Sequence, residues 1–278
     1  MHVSIEYMFL GLFVVLAVTL SFSNMAMINI LPSREIEQSQ LRVKAESILD
    51  FILLSAGNPP NWNESTVPEV FGLAPANSSD PYVLDIGKVY ALLNSTFQSE
   101  IPELLGIEDE YGFYLKIVPL YLIDINETGS NRFIVAVRSF RGFPLPSANV
   151  TGYYGNVNET LSEEQIARTV TNASGVAVLD YDSSVSGDVL IVVVSISGVS
   201  VTEVYTHDED YMNSKVEGTR IVESDYPPIN STISVLYRGV LVDGYLNIGM
   251  ASKVTLFRYV KIEGSVYYVE FTMWRLKD

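Results

Sequence analysis

Few side chains in this chain have types and spacing suited to chemistry. The run His207-Asp208-Glu209-Asp210 could supply hard oxygen ligands, which suit calcium. It lacks the Asp-x-Asp-x-Asp-Gly spacing of an EF-hand loop. The expectation is therefore a solvated acidic loop, with calcium at Asp208 and Asp210 as the alternative. Asp180, Asp182 and Asp188 in DYDSSVSGD invite the same two readings. The chain has 2 histidines and no cysteine, which removes thiolate and disulfide chemistry. His2 stands at the start of an apolar stretch, leaving His207 for a folded site. No nucleophile elbow, phosphate loop, dinucleotide fingerprint or HExxH pair is present. No catalytic residues are assigned, the expectation is a protein that is not an enzyme, and no cofactor beyond that calcium is expected.

A second kind of chemistry is modification. Asn63, Asn77, Asn94, Asn126, Asn149, Asn158, Asn172 and Asn230 each begin an N-x-S/T sequon without an intervening proline. All lie beyond the apolar stretch, where an exported domain would be, and they are candidate N-glycosylation sites. The competing reading is ordinary Asn and Ser turn chemistry.

The third is a lone carboxylate. Glu6 is the only charge in HVSIEYMFLGLFVVLAVTLSFSNMAMINI, and no Asp, Glu, Lys or Arg falls between Tyr7 and Ser33. That exceeds the ~20 apolar residues a helix needs to cross a bilayer, so a transmembrane segment is expected at about 7–31. It is apolar on every side, which suits lipid or a helical bundle. With no Lys or Arg before Arg34, a secretory signal peptide is disfavoured and a membrane anchor stays open. A carboxylate at the edge of such a helix is costly and usually has a partner.

Composition bounds the rest. A formal net charge of −16 argues against nucleic acid and suits a solvated surface protein. With 48% hydrophobic residues and 17 tyrosines, the chain can bury real cores and build sheets with wide faces.

Stepping along the elements, REIEQSQLRVKAESILDFILLSA reads as an amphipathic helix. Leu41, Ala45, Ile48, Leu49, Ile52 and Leu53 share one face, and Gly57 is the stop. Joined to the apolar stretch it makes about 55 residues of helix, near 80 Å. GNPPNWNESTVPEVFGLA is a turn-rich connection anchored by Trp62 and Phe71. A helix is predicted from about Lys88 to Phe97. FYLKIVPLYLIDI reads as strand, with Pro119 at an edge or bulge. From about Asn131 short strands with regular turns suggest an antiparallel sandwich. RYVKIEGSVYYVEF is a hairpin turning at Glu263-Gly264.

Two resemblances sharpen this reading. His2, Ser4 and Glu6 in HVSIEYMFL, with the run that follows, resemble the start of archaeal class III signal peptide proteins of the type IV pilin-like kind. The family usually has Gln where His2 stands and a short basic leader before it, so the chain is expected to be nearly mature or its start misassigned. The resemblance implies that Glu6 pairs with the amino terminus of a neighbouring subunit during assembly; contact with headgroups and water is the other reading. The connection around Trp62 and the ending around Trp274 are similar to the same family. Separately, GFPLPSANVTGYY and TVTNASGVAVLDY resemble carboxypeptidase-regulatory, transthyretin-like members of the Ig-like domains. Gly142, Pro144, Leu145, Ala148, Val150, Thr169, Thr171, Gly175 and Ala177 carry that match over about 70 residues, which implies fold and no activity.

The expected fold is α+β. A long N-terminal α-helix over 1–56, a membrane or filament core, packs on an antiparallel β-sheet head over 57–133 and 207–278. An Ig-like β-sandwich is inserted at 134–206. The expected function is an archaeal surface filament subunit of minor or specialised type, assembling through its helix with itself or similar subunits. The membrane is a partner before assembly, nucleic acid is not, and the head is extracellular at the cell surface. The alternative is a helix-anchored surface binding protein or adhesin that does not polymerise.

Overall fold

Runs of β-branched and aromatic residues dominate the chain after Tyr111, and they set its architecture. The computed structural model describes residues 2–63, 65–242, 245–248 and 252–276; within the first helix, side chains are described at 14–20 and from 35 onward. Among the described residues, fifteen strands outweigh three α-helices. The expected α+β class organised on a long helical membrane or filament core is thereby corrected to a β-rich fold. The physical reason lies in the cores. Of three buried clusters among the described residues, the first helix contributes to one, and the other two are closed by strands and their turns.

Three helices precede the strands: α1 (His2–Leu54), α2 (Ile86–Ala91) and α3 (Ser95–Leu104). The strands through the middle of the chain are β1 (Tyr111–Pro119), β2 (Tyr121–Gly129), β3 (Arg132–Ser139), β4 (Asn149–Gly155), β5 (Ile166–Val170), β6 (Val176–Asp180), β7 (Val189–Ile196) and β8 (Val199–Thr206). Then come β9 (Ser214–Glu217), β10 (Arg220–Glu223), β11 (Ile233–Tyr237), β12 (Val240–Val242), β13 (Tyr245–Asn247), β14 (Lys253–Ile262) and β15 (Ser265–Arg275).

The first core lies under the sheet β11-β1-β15-β14, all antiparallel. The face predicted for the second part of α1 is the one buried there: Leu41, Ala45, Ile48, Leu49, Ile52 and Leu53 are each at most 6% exposed. Gly57 (φ +76°) turns the chain away after α1, and a Cβ there would meet the Val70 carbonyl oxygen at 2.5 Å. The predicted helix from Lys88 to Phe97 is two helices. The chain turns at 92–94, and the Asn94 side chain accepts from the Thr96 and Phe97 N–H groups to start α3.

Pro119 does more than mark an edge. At Leu120 the chain leaves the first sheet, and β2 pairs with β3 in another. The sheets β2-β3-β6 and β5-β4-β7-β8 share the second core, built on Phe133, Val135, Val150, Leu190, Val192 and Val194. Gly152 belongs to it by necessity, since a Cβ would meet Leu179 at 2.6 Å and the Tyr181 hydroxyl at 2.4 Å. The hairpin β9-β10 closes a third, smaller core, where Ile221 packs with Leu161, Val189, Ile191 and Val204. The predicted turns at Asn172–Gly175 and Glu263-Gly264 are in place; the latter has φ +47° and +80° between β14 and β15.

Candidate functional site

The second stretch of α1 is fixed to the sheet by packing and by a small polar set. Arg258 on β14 reaches Asp50, with Nη2 at 3.2 Å from Oδ1. At the end of α1, Lys88 is 1% exposed and donates to three backbone carbonyls, those of Ala56 (2.7 Å), Pro60 (2.6 Å) and Ala74 (2.7 Å). Its ammonium lies 5.7 Å from the Trp62 ring centre, and the Trp62 indole N–H donates to Gly72 O at 2.9 Å. Burial pulls the Lys88 ammonium below its ordinary range, with Asp85 opposing.

The first described stretch of α1 has the opposite character. Residues 14–20 are all exposed, with Val14, Val15, Leu16, Val18 and Leu20 between 47% and 62%. At 3.6 residues per turn these positions point around the whole helix. Thr19 turns its hydroxyl back to Val15 O (2.8 Å) and Leu16 O (3.0 Å), so even this polar residue presents little polarity outward. The transmembrane expectation is corrected: among the described residues no helix is long and apolar enough to cross a membrane. The Glu6 side chain lies outside the described residues, as do most side chains of the predicted segment.

The other sequence candidates are placed as follows. The Asp208 carboxylate caps a short 3₁₀ turn, Glu209–Tyr211, by accepting from the Asp210 N–H at 3.1 Å. Among the described residues no group of three or more His, Asp or Glu could hold a metal ion. His207 meets Glu127 at 2.8 Å on an open surface. Asp182 is spent on Ser184, whose N–H and hydroxyl lower its pKa. Asn63, Asn77, Asn94, Asn126, Asn149, Asn158 and Asn172 are exposed and Asn230 is half-buried. At Asn63, Asn94 and Asn172 the side-chain oxygen accepts backbone N–H groups, so these also perform turn and cap chemistry.

Sequence reasoning missed a cleft that the fold builds where β7-β8, β9 and the β14-β15 turn meet. It encloses about 260 Å³. Lys215 stands at its mouth between Glu217 (3.3 Å) and Glu263 (3.8 Å). Tyr267 forms its floor at 2% exposure, and burial pushes that phenol's pKa up. Tyr226 forms a wall, held by stacking on Tyr90 at 5.1 Å. Lys215 and Glu263 are far apart in sequence, and Glu263 reads there only as a turn residue.

No family model, curated protein or solved structure matches the chain. The Ig-like assignment of the inserted unit is not confirmed, and the type IV pilin-like description is corrected: no described helix is long and apolar enough to cross a membrane, and no relative carries it. The two sheets around the second core stand as described.

Proposed function

We propose that the protein is a non-catalytic surface subunit that assembles with further copies of itself through the first part of α1, as one unit of a surface filament. The observation that carries this reading is the contrast along one helix: Leu41, Ala45, Ile48, Leu49, Ile52 and Leu53 are buried in the first core, while Val14, Val15, Leu16, Val18 and Leu20 are exposed. Burying a Val or Leu side chain is worth about 1.5–3 kcal/mol, so five exposed residues of this kind favour association strongly. An identical helix is the fitting occupant. It offers the same charge-free surface, and the stretch from Tyr7 to Ser33 carries no charge to oppose close approach. Heterologous contacts repeated from copy to copy build open arrays. The formal charge of −16 and the exposed sequons support a solvated position outside the cell.

The test is crosslinking of the full chain through cysteines placed singly at Val14 and Val18, since the chain has no native cysteine. Self-crosslinked products are expected at both positions, and Leu16→Glu should abolish them while leaving the unfolding temperature of the folded part unchanged. Monomer alone at both positions, in cells that display the protein, would favour the surface binding protein that does not polymerise.

A further inference from the structure

The cleft between the three parts of the fold is unrelated to the helix surface. The geometry points to it as a binding site for a single neutral polyhydroxylated ring, a monosaccharide unit.

Size comes first. Sites for drug-sized ligands run from about 300 to 1,000 Å³, so a cavity of about 260 Å³ suits one small ring. The charges at the mouth come next. Lys215 is shared between Glu217 and Glu263, so donor and acceptors stand side by side within 3.8 Å. An anionic ligand would meet two carboxylates for one ammonium. A cationic ligand would have to displace Lys215 from both. A neutral hydroxyl donates to a carboxylate and accepts from the ammonium without breaking the trio, and adjacent hydroxyls on a ring do both at once.

The walls fit the same ligand. Thr202 and Ser224 add hydroxyls that can donate or accept. Ser214 offers at most an acceptor, because its hydroxyl already donates to Tyr211 O at 2.7 Å. The C–H faces of a sugar ring need flat apolar surface, and the ring of Tyr226 supplies it alongside Ile86 and Pro228. Tyr226 is set in place from behind. Tyr90 stacks on it nearly parallel (14°), the Tyr90 hydroxyl donates to Pro227 O at 3.0 Å, and a Cβ on Gly87 would lie 3.1 Å from its ring. An aromatic wall held this way loses little freedom when a ligand arrives.

The experiment titrates the unglycosylated full chain with methyl α-glycosides of glucose, galactose, mannose and N-acetylglucosamine, read by ligand-observed NMR and calorimetry. Glucuronate and ethanolamine serve as the anionic and cationic probes. At least one neutral glycoside should bind saturably. Glu263→Gln and Lys215→Gln should each weaken it about ten- to hundredfold, the worth of a hydrogen bond to a charged group. Lys215 is 40% and Glu263 51% exposed, so their loss should leave thermal unfolding unchanged, and Thr202→Val provides an uncharged variant of the cleft wall that should weaken binding in the same direction. Glu164→Gln, on the open surface elsewhere, should leave binding intact. The inference is overturned if no neutral glycoside binds at about 10 mM, tenfold above a millimolar Kd. It is equally overturned if only glucuronate or ethanolamine binds, or if glycoside binding is indifferent to all three cleft variants.

Discussion

Glu203 shows how one carboxylate can make the whole fold sensitive to pH. It lies on β8 opposite Val192, on the face that carries Val201 into the second core. Burial, and then the nearby Asp124 carboxylate, push its pKa up from 4.5 to about 8. Asp124 itself is paired with Arg138, so no cation is left over for Glu203 there. The folded chain thus holds this proton more tightly than the unfolded chain does. Its contribution to stability is complete below about pH 4.5 and is lost as pH rises through about 8. The expected result is an unfolding free energy that falls between about pH 5 and pH 9 by an amount on the order of a few kcal/mol. Glu203→Gln keeps the shape without the charge and should flatten the profile, making the variant the more stable protein at the alkaline end. Parallel profiles for the two proteins in chemical denaturation across that range would show that Glu203 is not the group responsible.

At the scale of elements, legibility followed locality. The apolar face of α1 from Leu41 to Leu53 repeats at three and four residues, and local spacing suffices to identify it. The Glu263-Gly264 turn is set by two residues that accept positive φ. What the sequence did not show depends on partners far away. Pro119 marks a break, but nothing nearby says that the strand after it changes sheets. The cleft joins Lys215 to Glu263, and only the folded chain brings them within 3.8 Å. Lys88 reads only as the start of a helix, yet it ties together the connection after α1 through the carbonyls of Ala56, Pro60 and Ala74, which lie outside any helix or strand. Lys88→Met keeps the apolar stem under Trp62 and removes the donors. With hydrogen bonds to a charged group worth about 1.5–3 kcal/mol each, and some relaxation of the connection, the loss should be roughly 3–5 kcal/mol. At about 2–4 °C per kcal/mol, a fall of roughly 10 °C in Tm is expected by calorimetry. A change within a degree or two would mean that water replaces the ammonium without cost.

For the molecule as a whole, the cores define the units better than the texture of the sequence does. The expected insert, 134–206, begins inside β3 and leaves β2 behind, although β2 pairs with β3 from Tyr121 to Gly129. It also leaves out β9-β10, although Ile221 of that hairpin is fully buried with Val189, Ile191 and Val204. Counted by shared core, the second unit runs from Tyr121 to Glu223. The chain rejoins the first core by Ile229, after Tyr226 has stacked on Tyr90. Joining Leu120 to Ser224 through a Gly-Ser linker should therefore leave a folded remainder with dispersed amide resonances and cooperative unfolding. Some loss of stability is expected, because Phe140 no longer stacks on Tyr268 at 5.1 Å, a contact worth about 0.5–1.5 kcal/mol beyond its area. Removing only 134–206 should behave differently. It strands β2 as an unpaired edge and strips the cover from Ile221, both of which favour aggregation. If the shorter excision gives the better-folded protein, the boundary drawn from the cores is wrong and the strand pairing of β2 is dispensable. If both fail to fold, the first core depends on β8 packing beside β15, and the two units are one cooperative body.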